Sequence, residues 1–141
     1  MPKMIFVNLP VTDVAASTRF YEAIGFRKNE QFSDHKASSM VWSDTITIQL
    51  LARAYFATFT SKPVADARAT CQTMLCLTAD SREEVDALAE SAARAGGKAD
   101  VRAPIEMSFL YNRSFEDLDG HVFEMAWLNL AALPEKDAAA A

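Results

Sequence analysis

The chain reads as an α+β protein made of two tandem β-α-β-β-β modules, and three observations lead there. A helical stretch opened by a capping residue and closed by glycine occurs twice, at 13–25 and 81–97. Each is preceded by one short apolar run and followed by three more. The last two runs are separated by Leu118-Asp119-Gly120, and Asp-Gly between apolar segments is a strong hairpin signal. An internal repeat of this kind outranks any single local assignment, because it constrains every element at once.

In chain order, residues 4–11 form a β-type run. Asp13 then caps a helix through Ile24, with Val14, Phe20, Tyr21 and Ile24 on its apolar face and Gly25 as its stop. Strands follow over 27–32, 37–43 and 45–51, the last two joined by a turn at Ser43-Asp44. The second module repeats the plan, with a strand at 73–79 and Ser81-Arg82-Glu83-Glu84 as a capping box. Val85, Leu88, Ala89 and Ala92 form the buried face of its helix, and Gly96-Gly97 ends it about one turn later than in the first module. Strands over 98–102, 107–116 and 121–128 complete the pattern.

These boundaries imply one domain over residues 1–131. Module one covers about 4–52, a connecting segment 53–70, and module two about 71–130, with a flexible tail over 132–141 that ends in four alanines. Tyr55, Phe56 and Phe59 are too dense for a free linker, so the connecting segment reads either as a short helix or lid or as ordinary core packing.

Bulk properties exclude several functions. A length of 141 residues is long enough to bury a core, and half of them are hydrophobic. The net charge of −5 argues against nucleic acid as a partner, since no basic stripe is available to neutralise phosphates. No apolar run approaches the ~20 residues of a membrane span, and the N-terminal strand pattern lacks a signal peptide's form. The expected setting is cytoplasmic, with no membrane partner. Cys71 and Cys76, lacking companions for a zinc set, read as small buried hydrophobes in a reducing compartment.

One residue is out of keeping with its neighbours. Glu124 interrupts the apolar run Val122-Phe123-Glu124-Met125-Ala126-Trp127, and a carboxylate there is costly unless a cation, a donor or water meets it. Alternation puts Glu124 on one face with Val122 and Ala126, while Phe123, Met125 and Trp127 point toward a helix. By the same argument Gln49 sits with Thr45 and Thr47, and Phe6 with Met4 and Asn8.

Two such modules, together with the segments at 6–13, 19–26 and 113–124 (the last reading Arg-Ser-Phe-Glu-Asp-Leu-Asp-Gly-His-Val-Phe-Glu), resemble the vicinal oxygen chelate superfamily. That group contains glyoxalase I, bleomycin-resistance proteins, fosfomycin-resistance enzymes and extradiol dioxygenases. The chain is most similar to small bacterial proteins labelled predicted lactoylglutathione lyases. The resemblance implies two half-cups facing a cleft, homodimeric pairing that would also cover free strand edges, and metal ligands on the first and last strands of each half. Those positions fall here on Phe6, Gln49, Met74 (or Thr73) and Glu124, of which only Glu124 is a usual ligand.

One carboxylate, an amide, a thioether and a phenyl ring suit neither zinc nor a hard cation. The expectation is therefore no metal cofactor, with Glu124 and Gln49 as the only donors for a weak site. His121 at the turn and His35 in a polar loop read as surface residues. An apolar cleft with a few orienting polar groups suits a small-molecule ligand. Its expected lining is Phe6, Asn8, Gln49 and Met74, with Trp42 offering a stacking surface and Tyr111 and Arg113 near the mouth. Aromatics at positions such as Trp42 are core more often than not, and Arg113 either clamps an anion or pairs with Glu116 or Asp117. Glu124 is either a carboxylate satisfied by Gln49, Asn8 or Arg113, or a general base if burial raises its pKa. A lyase- or isomerase-type activity is the alternative to plain binding.

Overall fold

The computed structural model describes residues 1–136. Module one contains β1 (Ile5–Val11), α1 (Val14–Ala23), β2 (Arg27–Lys28), β3 (Ala37–Ser43) and β4 (Ile46–Ala52). A short helix, α2 (Arg53–Phe56), opens the connecting segment. Module two contains β5 (Met74–Thr78), α3 (Arg82–Arg94), β6 (Lys98–Ala99), β7 (Ile105–Met107), β8 (Leu110–Glu116) and β9 (Val122–Leu128). The sheets run β1-β4-β3-β2 and β5-β9-β8-β6, with β7 also on β8. In each, the first strand pairs parallel with the last, and the remaining pairs are antiparallel.

Both helices begin and end as their sequences require. The Asp13 carboxylate accepts from the Ala16 N–H at 3.0 Å, and the Ser81 hydroxyl from the Glu84 N–H at 3.0 Å. Glu84 turns back to accept from the Asp80 N–H at 2.7 Å, one residue earlier than a standard capping box. At the end of α3 the Gly97 N–H reaches the Ala92 carbonyl and the Gly96 N–H the Ala93 carbonyl, closing a Schellman motif with Gly96 at φ +101°.

The apolar faces of both modules share one core. Phe20 and Tyr21 of α1 pack against Phe115 and Phe123 of module two at ring distances of 6.1 and 5.8 Å. Phe115 and Phe123 stack at 5.2 Å. Each such buried side chain contributes roughly 1.5–3 kcal/mol, so the modules stabilise one another.

The turn after β8 ties them further. Asp117 accepts from the Asp119 and His121 N–H groups at 2.9 Å, and from the Tyr21 hydroxyl at 2.6 Å. Asp119 accepts from both the N–H and the hydroxyl of Thr12 at 2.8 Å, just ahead of α1. The His121 Nε2 donates to the Pro10 carbonyl at 2.7 Å. Burial, opposed by the neighbouring His121 and these donors, pushes the Asp117 carboxyl above its usual range. Burial and then the nearby Asp117 push the Tyr21 hydroxyl well above its own.

Several elements depart from the sequence reading. The expected strand at 27–32 stops at Lys28, because the Asn29 side chain accepts from the Gln31 N–H and starts a 3-10 turn at Glu30–Phe32. The strand expected at 98–102 stops at Ala99, where Asp100 takes φ +54° and leads the chain off the sheet. The strand expected at 107–116 begins at Leu110, and the residues ahead of it, Ile105–Met107, pair back onto it as β7, giving one strand more than a strict repeat. Both cysteines are exposed rather than buried: Cys71 lies between the connecting segment and β5, and Cys76 alternates away from the core-facing Leu75 and Leu77. Residues 130–132 form a 3-10 turn, and the rest of the expected tail extends to 137–141, outside the described residues. No helix among the described residues is long and apolar enough to cross a membrane.

Candidate functional site

Each sheet has one face on the helices and one open face, and strand alternation decides which side chains reach the open face. On sheet one Phe6 pairs with Thr47, and Thr47 with Val41, placing all three on the open side. Gln49 follows Thr47 on that side. They line a hollow of about 480 Å³ together with Met4, Arg27 and Asn29. Asn8 shares their face, but lines a second hollow beneath the connecting segment.

On sheet two the open face carries Met74, Cys76, Asn112, Ser114 and Glu124, as the pairings Met74–Val122, Cys76–Glu124, Asn112–Ala126 and Ser114–Glu124 require. Met74 is exposed, whereas Ser114 is buried with its hydroxyl unpaired among the described residues. The loop that leaves the sheet at Asp100 brings Arg102 over this surface. Its guanidinium donates to the Glu124 carboxylate, to the Asn112 side-chain oxygen at 2.7 Å and to the Ala103 carbonyl at 3.1 Å. Glu124 is therefore met by an arginine, and the partners anticipated from sequence (Gln49, Asn8 and Arg113) do not serve. Partial desolvation and then the nearby Glu124 carboxylate, opposed by Arg102, push the Cys76 thiol up.

Three expected cleft residues lie on the helix side and are corrected. Trp42 packs on Phe26 at a ring distance of 4.9 Å and donates from Nε1 to the Thr78 carbonyl at 3.2 Å. Tyr111 donates to Asp86 of α3 at 2.6 Å, and this bond lowers the Asp86 pKa while raising that of the tyrosine. Arg113 binds the Asp100 carboxylate through Nε at 3.0 Å and Nη2 at 2.8 Å, and meets Asp86 and Glu90 through Nη1 at 3.0 Å. All three follow one rule: they alternate with open-face residues and so point into the layer between sheet and helix. Arg113→Met is expected to lower stability by about 2 kcal/mol, because the half-exposed acids rehydrate while the Asp100 fork is lost. Urea unfolding of this variant at an unchanged midpoint would remove the tie between sheet and helix.

The four positions that the resemblance assigns to a metal are divided. Phe6 and Gln49 line the hollow of sheet one, whose lining includes neither Met74 nor Glu124. Among the described residues no group of three or more His, Cys, Asp or Glu side chains could hold a metal ion. The only carboxylate of the set is already paired with a guanidinium. This donor set does not fit a divalent cation.

Arg102 was missed as a site residue from sequence, where it reads as the end of a strand. The one available signal was Pro104, which argues against continuing that strand.

The sequence matches the glyoxalase/bleomycin resistance protein/dioxygenase superfamily over residues 3–125. Solved structures with the same fold include a hypothetical protein from S. aureus, 28% identical, covering 90% of this chain and 94% of its own, with a TM-score of 0.74. The fosfomycin resistance protein FosX from Mesorhizobium loti is 18% identical, with coverage of 93% and 96% and a TM-score of 0.65. TnmS3, an antibiotic binding protein from Streptomyces sp. CB03234, is 19% identical, with coverage of 92% and 98% and a TM-score of 0.64. No curated protein matches the chain. The family match spans both modules and the Asp-Leu-Asp-Gly-His turn that joins them, and the chain belongs to the glyoxalase/bleomycin resistance protein/dioxygenase superfamily.

Proposed function

We propose that the chain binds a small, largely apolar molecule at the open faces of its sheets without a metal, and that a second copy completes the cavity. The observation carrying this reading is the Arg102 guanidinium on Glu124, in the place a metal would need. A fixed organic cation neutralises the surviving acid, and the rest of the surface mixes apolar groups (Met4, Phe6, Val41, Met74) with amides, hydroxyls and Arg27. Arginine has five N–H groups, of which three are engaged here, leaving two for an oxygen of the ligand. A second copy is supported by the free edges β1 and β5, where Ile5, Phe6 and Met74 are 53%, 54% and 58% exposed. Names among the structural neighbours, fosfomycin resistance and antibiotic binding, are compatible with a small-molecule ligand.

Protein purified without chelator is expected to carry far less than one divalent metal per chain by plasma emission. In a thermal-shift panel of small aromatic and heterocyclic compounds, hits should weaken about tenfold in Arg102→Ala, the scale of one charge-assisted hydrogen bond. Stoichiometric metal, or hits indifferent to Arg102→Ala, would overturn the reading. A compound chemically converted by the wild type but not by Glu124→Gln would instead establish the lyase- or isomerase-type alternative, in which Arg102 must first leave the carboxylate. Light scattering is expected to give a dimer at micromolar concentration, and a ligand-competent monomer would remove the second copy.

A further inference from the structure

A second hollow, of about 400 Å³, whose lining does not include Glu124, lies beneath the connecting segment and along β1 and the start of β5. Its size falls within the range of small-molecule pockets, and its walls are mainly apolar, including Leu9, Phe56, Val64 and Leu75. The roof is held at both ends. Arg53 donates to the Val64 and Ala65 carbonyls at 3.3 and 3.2 Å, and Arg68 donates to the Leu118 carbonyl at 2.9 Å.

The charge around this hollow is unlike that of the chain. The protein carries 19 Asp and Glu against 14 Lys and Arg, yet the lining contains Lys62 and His121 and no carboxylate. His121 is committed to the Pro10 carbonyl, so Lys62 is the available cation, and among the described residues its ammonium makes no ion pair. The side-chain amides of Asn8 and Gln72, also in the lining, make no hydrogen bond among the described residues. An apolar chamber with one cation and two uncommitted amides recognises an apolar body that ends in an anion.

We infer that this hollow is a second binding site, for a compact aromatic or branched-chain carboxylate, with the apolar body under the connecting segment and the anion at Lys62. It borrows Asn8 and Val122 from the open faces but includes neither Glu124 nor Arg102, and the two exposed thiols tell the two sites apart. Cys71 lines the hollow, whereas Cys76 lies beside Glu124 on sheet two.

The test uses 2-naphthoate, with the neutral 2-naphthylmethanol as control, on the full chain. Calorimetry is expected to show one naphthoate per chain, bound more tightly than the alcohol and weakened about three- to fivefold by Lys62→Glu, the scale of an exposed ion pair. Mass spectrometry of iodoacetamide labelling should show naphthoate shielding Cys71 and leaving Cys76 unchanged. Arg102→Ala should not affect this binding, which separates it from the open-face reading. The inference fails if naphthoate shields Cys76 instead, if the alcohol binds equally well, or if no shielding occurs. It also fails if Cys71 in the free protein becomes unreactive as concentration rises, since a second copy would then fill the hollow.

Discussion

Asp119→Ala is expected to destabilise the protein by about 3 kcal/mol, read as a lower urea midpoint at unchanged slope. The carboxylate is buried and accepts from the Thr12 N–H and hydroxyl at 2.8 Å, with the Ser17 hydroxyl at 3.4 Å and Arg68 at 3.6 Å. Its removal strands the Thr12 donors at the entrance to α1 and leaves the Arg68 guanidinium only the Leu118 carbonyl among the described residues. Charged acceptors are worth more than neutral ones, so Asp119→Asn should fall between alanine and wild type. Thr12→Val keeps the backbone bond and should cost only about 1 kcal/mol. Equal stability of Asp119→Ala and wild type would mean that the apolar core alone joins the modules.

Gly97→Ala is expected to cost about 3 kcal/mol, for a reason unrelated to backbone conformation. A Cβ at this position would lie 2.3 Å from the Glu116 carbonyl oxygen, 2.8 Å from Phe20 Cε2 and 3.1 Å from the Ala92 carbonyl oxygen. Two of these atoms belong to the backbone and cannot rotate aside, so helix α3 must shift on its sheet. The neighbouring Gly96 has the opposite problem. Its φ of +101° disfavours a side chain, while a Cβ would meet only Leu118 Cδ2 at 3.3 Å. Gly96→Ala should therefore cost about 1–2 kcal/mol. Thermal melts that rank Gly96→Ala as the worse of the two would refute the close-approach account.

The paired glycines illustrate how far sequence reasoning carries. Gly96-Gly97 is legible as a helix stop, but only packing assigns one residue to the turn and the other to contact with Glu116. The Asp-Leu-Asp-Gly-His turn is legible as a hairpin. Its two acids become the join between modules because α1 packs against β8 and β9, which no local pattern specifies. Arg113 is recognisable as an arginine in need of partners, but its acids lie on α3 (Asp86 and Glu90) and on the loop after β6 (Asp100), both remote in sequence from β8.

By itself the sequence determined the two-module plan, both helices with their caps, and the oddity of Glu124. These depend on period, capping chemistry and burial, and all act over a few residues. Tertiary structure decided what Glu124 meets. One residue, Asp100, turns left-handed and ends β6 early, so Arg102 leaves the ladder and folds over the open face of sheet two. Strand alternation likewise moved Trp42, Tyr111 and Arg113 to the helix side. A carboxylate's chemistry is set by the charge beside it, and that neighbour arrives through a loop whose path depends on the whole fold.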